Sequence, residues 1–199
     1  MTLAWIIGLA LATAMAGRGG VPDEEPDVTV YVESDGPFPG IAVLALAKKT
    51  ASAMFAGIGV RLVWAAEKMG GAEPAGVVLH VHFTDRPQAR LKDTAVAYSH
   101  PFAGGAKAIT ILWDRFQAQC QQPNLAPALL AHIMVQEIAH VLQGIDRHSG
   151  TGVMKARWTT DDYHDMLWKQ LPFTAYDADL IRLGLAHLRG LSRREIATH

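Results

Sequence analysis

The chain has 199 residues, 50% of them hydrophobic, with 18 Lys+Arg against 19 Asp+Glu and a single cysteine. That length suits one domain with one core, and a formal net charge of -1 leaves no basic excess to neutralise a phosphate backbone. Nucleic acid is thereby excluded as the main partner. One cysteine, Cys120, rules out an internal disulfide framework and any cysteine-rich zinc module; it reads as a small hydrophobe rather than a reactive thiol.

Residues 3–16 (LAWIIGLALATAMA) are uncharged and apolar and end in Ala14-Met15-Ala16, the small-residue pattern of a signal-peptidase site. The stretch falls short of the ~20 apolar residues a bilayer-spanning helix needs. Residues 1–16 therefore read as a secretory signal peptide and 17–26, rich in Gly, Pro and acids, as a flexible lead-in. The expected mature protein is secreted or periplasmic, without stable membrane association.

Residues 27–33 (DVTVYVE) alternate and are β-branched, which predicts a strand that the Gly36-Pro37-Phe38-Pro39-Gly40 cluster stops. Residues 41–55, rich in Ala and Leu, predict a helix ending near Gly57. Strands follow at 60–64 (VRLVW), 77–83 (VVLHVHF) and 108–113 (AITILW), with a short one at 94–99 (TAVAYS). From Ala126 the chain reads as mainly helical. A strand, a helix, several strands and then helices predict an α+β domain over 27–190, one sheet backed by helices, with a tail at 191–199.

The predicted helix over 126–143 carries the chemistry, with Asn124 as its expected N-cap, Pro127 in its first turn and Gly144 just past its end. Gln136 and His140, at i and i+4, leave one face of this helix one turn apart and can converge on one metal ion. Glu137, displaced by one residue, flanks the same point. Gly144 lets the chain turn back, so that His148 can supply a third ligand. Met154, in the Gly-rich run Gly150-Thr151-Gly152-Val153, can form an apolar floor.

The run QEIAHVLQGIDRHSGTGVM over 136–154 resembles the zincin metallopeptidases, and among them the metzincins, whose pattern is H-E-x-x-H-x-x-G-x-x-H followed by a Met-turn. It is similar also to small secreted bacterial proteins with an H-E-x-x-H-x-x-x-G-x-x-x-H-S…M variant. The resemblance implies a metzincin-like fold: a twisted mixed sheet backed by helices, an active-site helix, a Met-turn at Met154 and an edge strand lining the cleft. It implies a Zn2+ ion on His140 and His148, with Gln136 in the position of the first ligand histidine. It implies peptide-bond hydrolysis by zinc-polarised water with Glu137 as general base, and a peptide or protein substrate extended along 95–99. Three departures stand out: Gln136 replaces a histidine, and one extra residue stands on each side of Gly144. An amide oxygen is a poor zinc ligand, so a weakened site is expected. The alternative is a catalytically inactive zincin-fold protein that binds peptide or protein in its cleft.

Other histidines have plainer readings. His80 and His82 share one strand face and could form a separate metal site, although a solvated face explains them better. His132 lies about 12 Å along the helix from His140, too far to share an ion with it. His100, after the predicted edge strand, and His164 are reserve candidates, and Tyr163 is placed where it could support an oxyanion. Thr159 with Asp162, and Thr174 with Asp177, read as capping boxes. Residues 176–188 predict an amphipathic helix, and the arginines at 189, 193 and 194 read as its solvated end.

Overall fold

A computed structural model describes residues 27–36, 38–65, 76–86, 95–99 and 107–196. The predicted signal peptide and lead-in, Thr94, His100 and residues 101–105 lie outside these, so the expectations placed on them have no structural counterpart here.

The described chain runs β1 (Val28–Ser34), α1 (Ile41–Ala56), β2 (Leu62–Ala65), β3 (Val77–Thr84), β4 (Ala97–Ser99), β5 (Lys107–Leu112), α2 (Trp113–Gln119), α3 (Ala126–Gln143), α4 (Thr160–Met166) and α5 (Ala175–Ile196). The strands form one sheet in the order β2-β1-β3-β5-β4. β1 pairs in parallel with β2 and β3, and β3 with β5, while β4 runs antiparallel along β5 as the edge. The sheet is mixed, as expected. Its parallel part has the character of an α/β fold, because β1 and β2, joined through α1, lie side by side in parallel.

Alternation sets the layers. Val77, Leu79, Val81 and Phe83 of β3 are buried, while Val78, His80 and His82 between them are only half-buried. The buried face joins Val28 and Val30 of β1 and Ile109 and Ile111 of β5 in one core with α1 and α3. α3 is the central helix: it packs on α1, on α5 and on β4 and β5, and residues 129–135 are all buried. Gly184 permits the tightest of these contacts, since a Cβ there would stand 1.9 Å from the carbonyl oxygen of Leu142.

Element ends differ from the sequence expectation for local reasons. Asn124 does not cap α3. The N-cap is Leu125, without a side-chain bond, because the Leu125 and Ala126 amides already donate to Gln122 and Pro123 carbonyls in the preceding turn. Trp113 begins α2 instead of ending a strand, its ring stacked on Phe116 at 4.8 Å between centroids. α5 runs on to Ile196, through the arginine-rich segment, and Arg189 there pairs with Asp27. Both expected capping boxes form: Asp162 exchanges bonds with Thr159 at the start of α4, and Asp177 with Thr174 at the start of α5.

Candidate metal centre

α3 ends as its sequence dictates. Gly144 takes φ 66°, the left-handed conformation that glycine adopts without penalty, and its amide bonds back to the His140 and Val141 carbonyls. The chain then reverses through Ile145, Asp146, Arg147 and His148 across the end of the helix. The reversal brings His148 to His140, with ring centroids 4.8 Å apart at 70°. Asp146 joins them. One donor atom from each of His140, Asp146 and His148 lies within 4.8 Å of the others, and among the described residues no other group of His, Cys, Asp and Glu converges in this way.

The electrostatics suit a cation. His140 is buried, and burial holds its imidazole below the usual value, with the charge of His148 acting in the same sense. The neutral ring that results is the form that ligates a metal. Its Nδ1 lies 3.4 Å from the Ile145 carbonyl oxygen, which leaves Nε2 free. Glu137, one residue along from Gln136 on α3, has its carboxyl pushed up to about 7 by burial. A hydrogen bond with Ser99 of β4 opposes the rise and the charge of Asp146 adds to it. The carboxyl of Asp146 and two imidazoles thus converge, with Glu137 near enough to feel the Asp146 charge, while the adjacent Arg147 is drawn off to Asp177 at 2.9 Å.

Gln136, expected as a weak ligand, has its amide nitrogen engaged elsewhere. Nε2 donates to the carbonyls of Lys155 at 2.8 Å and Val153 at 3.3 Å, the residues on either side of Met154. The side chain therefore ties the Met-containing turn to α3. Met154 is fully buried, and the turn is closed by the Ser149 amide on the Met154 carbonyl at 2.7 Å and the Val153 amide on the Pro172 carbonyl at 3.0 Å. Gly152 is required there: its φ is 72°, and a Cβ would come within 2.1 Å of the Pro172 oxygen.

Asp146 is the residue that the sequence reading passed over. Its signal was present, because it stands six residues after His140, the distance from second to third ligand in H-E-x-x-H-x-x-G-x-x-H. The shifted glycine drew attention to His148 instead.

The remaining candidates stand apart from this group. His80 Nδ1 lies 2.8 Å from Glu33 and His82 Nε2 3.3 Å from Asp35, two separate half-exposed pairs on the outer sheet face. His132 is buried, with Nδ1 on the Ala128 carbonyl at 2.7 Å and Nε2 accepting from the Leu171 amide at 3.0 Å, a structural role. His164 is exposed on α4. The Tyr163 hydroxyl accepts from Gln119 Nε2 at 2.6 Å, and its ring lies edge-on to Trp158. Cys120 is free and half-buried, and burial raises its thiol above the usual value.

The mixed sheet with its central helix and edge strand defines a fold that solved structures share. One of these is the crystal structure of archaemetzincin from Methanopyrus kandleri, 13% identical over 83% of this chain and 99% of that one, with a TM-score of 0.55. No protein-family model matches the sequence, and no curated protein matches it.

Proposed function

We propose that the protein is a secreted zinc metallopeptidase of metzincin-like fold, in which His140, Asp146 and His148 hold the ion and Glu137 is the general base. The convergence of the three donors at the end of α3, one turn from Glu137, is the observation that carries this reading. The fold shared with archaemetzincin and the metzincin-like run over 136–154 support it. Two imidazoles and one carboxylate are a donor set of catalytic zinc sites. When bound, the zinc supplies Lewis acidity toward a carbonyl oxygen and lowers the pKa of water.

The chain's own residues do the rest. Glu137, poised near neutral pH and held by Ser99, accepts a proton from the attacking water and returns it to the leaving amine. β4 is the edge strand beside α3, so an extended peptide can add along it through backbone hydrogen bonds. Gln136 acts through the Met-turn it fastens. With Asp146 as the third donor, the site is not weakened by the loss of a histidine at 136.

The test is zinc content of the dialysed protein, beside hydrolysis of unstructured peptides. One zinc per chain is expected, lost in Asp146→Ala, together with hydrolysis that falls at least about a hundredfold in Glu137→Gln. Zinc retained with no hydrolysis of any peptide would favour the inactive, peptide-binding alternative. A chain that takes up no zinc would overturn the metal reading.

A further inference from the structure

Outside the ligand set, the best-connected charged group of the described chain is Asp177, whose carboxylate is fully buried at the first turn of α5. Its two oxygens have separate duties. Oδ2 serves the helix, accepting from the Thr174 amide at 3.1 Å and the Thr174 hydroxyl at 2.6 Å. Oδ1 serves the ligand loop, accepting from Arg147 Nη1 at 2.9 Å and from the Ser149 hydroxyl at 2.6 Å. Arg147 and Ser149 are the neighbours of His148 on either side. The guanidinium also approaches the Ser149 hydroxyl at 3.3 Å and lies over the Tyr176 ring at 4.6 Å to its centroid. His148 itself is exposed, so its backbone is held through its neighbours, by these bonds together with the Ser149 amide on the Met154 carbonyl.

We infer that Asp177 is a positioning residue for the metal centre: through Oδ1 it clamps Arg147 and Ser149, and so fixes the backbone that presents His148, and with it Asp146, to His140. The inference rests on the metal reading above and adds to it a residue outside the ligand run. An unclamped loop must order itself when the metal arrives, and that cost falls on affinity. Partners that orient metal ligands typically contribute ten- to hundredfold in metal affinity.

The division of labour between the oxygens supplies the experiment. Ser149→Ala and Arg147→Met each remove a bond to Oδ1. Thr174→Ala instead removes the hydroxyl bond to Oδ2 and the Asp177 amide's bond to that hydroxyl, keeps the backbone amide bond to Oδ2, and weakens only the helix cap. Zinc Kd is measured for all three by competition with a chromophoric chelator, and thermal melting is followed in EDTA. The clamp variants are expected to bind zinc about ten- to hundredfold more weakly than the parent. Thr174→Ala is expected to melt earlier yet keep the parent Kd, a split that general destabilisation would not produce. In the zinc-free protein, the amide at 149, which donates to the Met154 carbonyl at 2.7 Å, is expected to exchange faster in Arg147→Met than in the parent. A parent that binds zinc, with clamp variants matching it in Kd and exchange, overturns the clamp alone. A parent that binds no zinc overturns the metal reading and takes this inference with it.

Discussion

Replacing Gln136 by alanine separates a strut from a ligand. In the structure the Gln136 amide nitrogen makes two hydrogen bonds, to Lys155 at 2.8 Å and to Val153 at 3.3 Å. The Val153 carbonyl keeps a second donor, the indole of Trp158 at 3.3 Å, whereas the Lys155 carbonyl loses the bond it has from Gln136. A net hydrogen bond contributes about 1 kcal/mol, and an acceptor left unpaired in a half-buried place costs somewhat more, so the substitution should destabilise by about 1–2 kcal/mol. Urea denaturation in EDTA should show this as a lower midpoint with an unchanged m-value. Zinc affinity should scarcely move, since Asp146 and the two histidines are untouched. Loss of a true ligand would instead weaken zinc by orders of magnitude. A large drop in zinc affinity without loss of stability would refute the strut and return Gln136 to the ligand set.

Other consequences follow from single positions. Gly152→Ala places a Cβ 2.1 Å from the Pro172 oxygen at a φ of 72°, so it should cost about 2–4 kcal/mol by chemical denaturation, combining left-handed strain with loss of the Val153–Pro172 bond. Gly184→Ala meets only backbone of α3, 1.9 Å from the Leu142 oxygen, and no rotamer can relieve it. A destabilisation of at least about 1–3 kcal/mol is expected, read from the thermal midpoint. His132 is held below its usual value by burial, the hydrogen bond to Ala128 only partly opposing it, so the folded protein binds its proton less well than the unfolded chain. Its stabilising contribution is present above about pH 6.5 and lost as pH falls through the depressed folded value. His132→Gln, measured in EDTA, should flatten that part of the profile by a slope of at most about 1.4 kcal/mol per pH unit; an unchanged slope would disprove it. Asp177 works lower on the scale. Burial raises its carboxyl, but bonds from Ser149, Thr174 and Arg147 outweigh this and hold it below the usual range. Its contribution should be complete above about pH 4 and disappear below it, and Asp177→Asn should lack that acid-side loss in a pH series of melts.

Much of this architecture is legible in the residues because local periodicity and burial coincide. The alternation in 77–83 marks the strand and its buried face, and α3 spans the predicted 126–143, since Gly144 stops it by backbone geometry alone. What escaped depends on contacts remote in the chain. Trp113 opens α2 where its ring meets the remote Phe83 edge-on, in addition to stacking on nearby Phe116. That Gln136 bonds to the Met154 turn depends on where residues 153–155 return, which spacing on a helix cannot convey. Asp146 was hidden for another reason: two extra residues around Gly144 made His148 the obvious partner, although the turn brings both to His140.

The short reversal at the end of α3 also governs what a metal held there could do for the rest of the molecule. All three donors lie between positions 140 and 148, so an ion there closes only a small ring of chain. The conformational freedom such a ring removes from the unfolded ensemble grows only with the logarithm of its size, and a short one removes little. The sheet and the helices around it are joined by the core and not by the metal. An ion held there would be a guest of a finished scaffold. If the proposed zinc is bound, the chain can fold first and be loaded afterwards, and chelation is expected to leave the architecture standing.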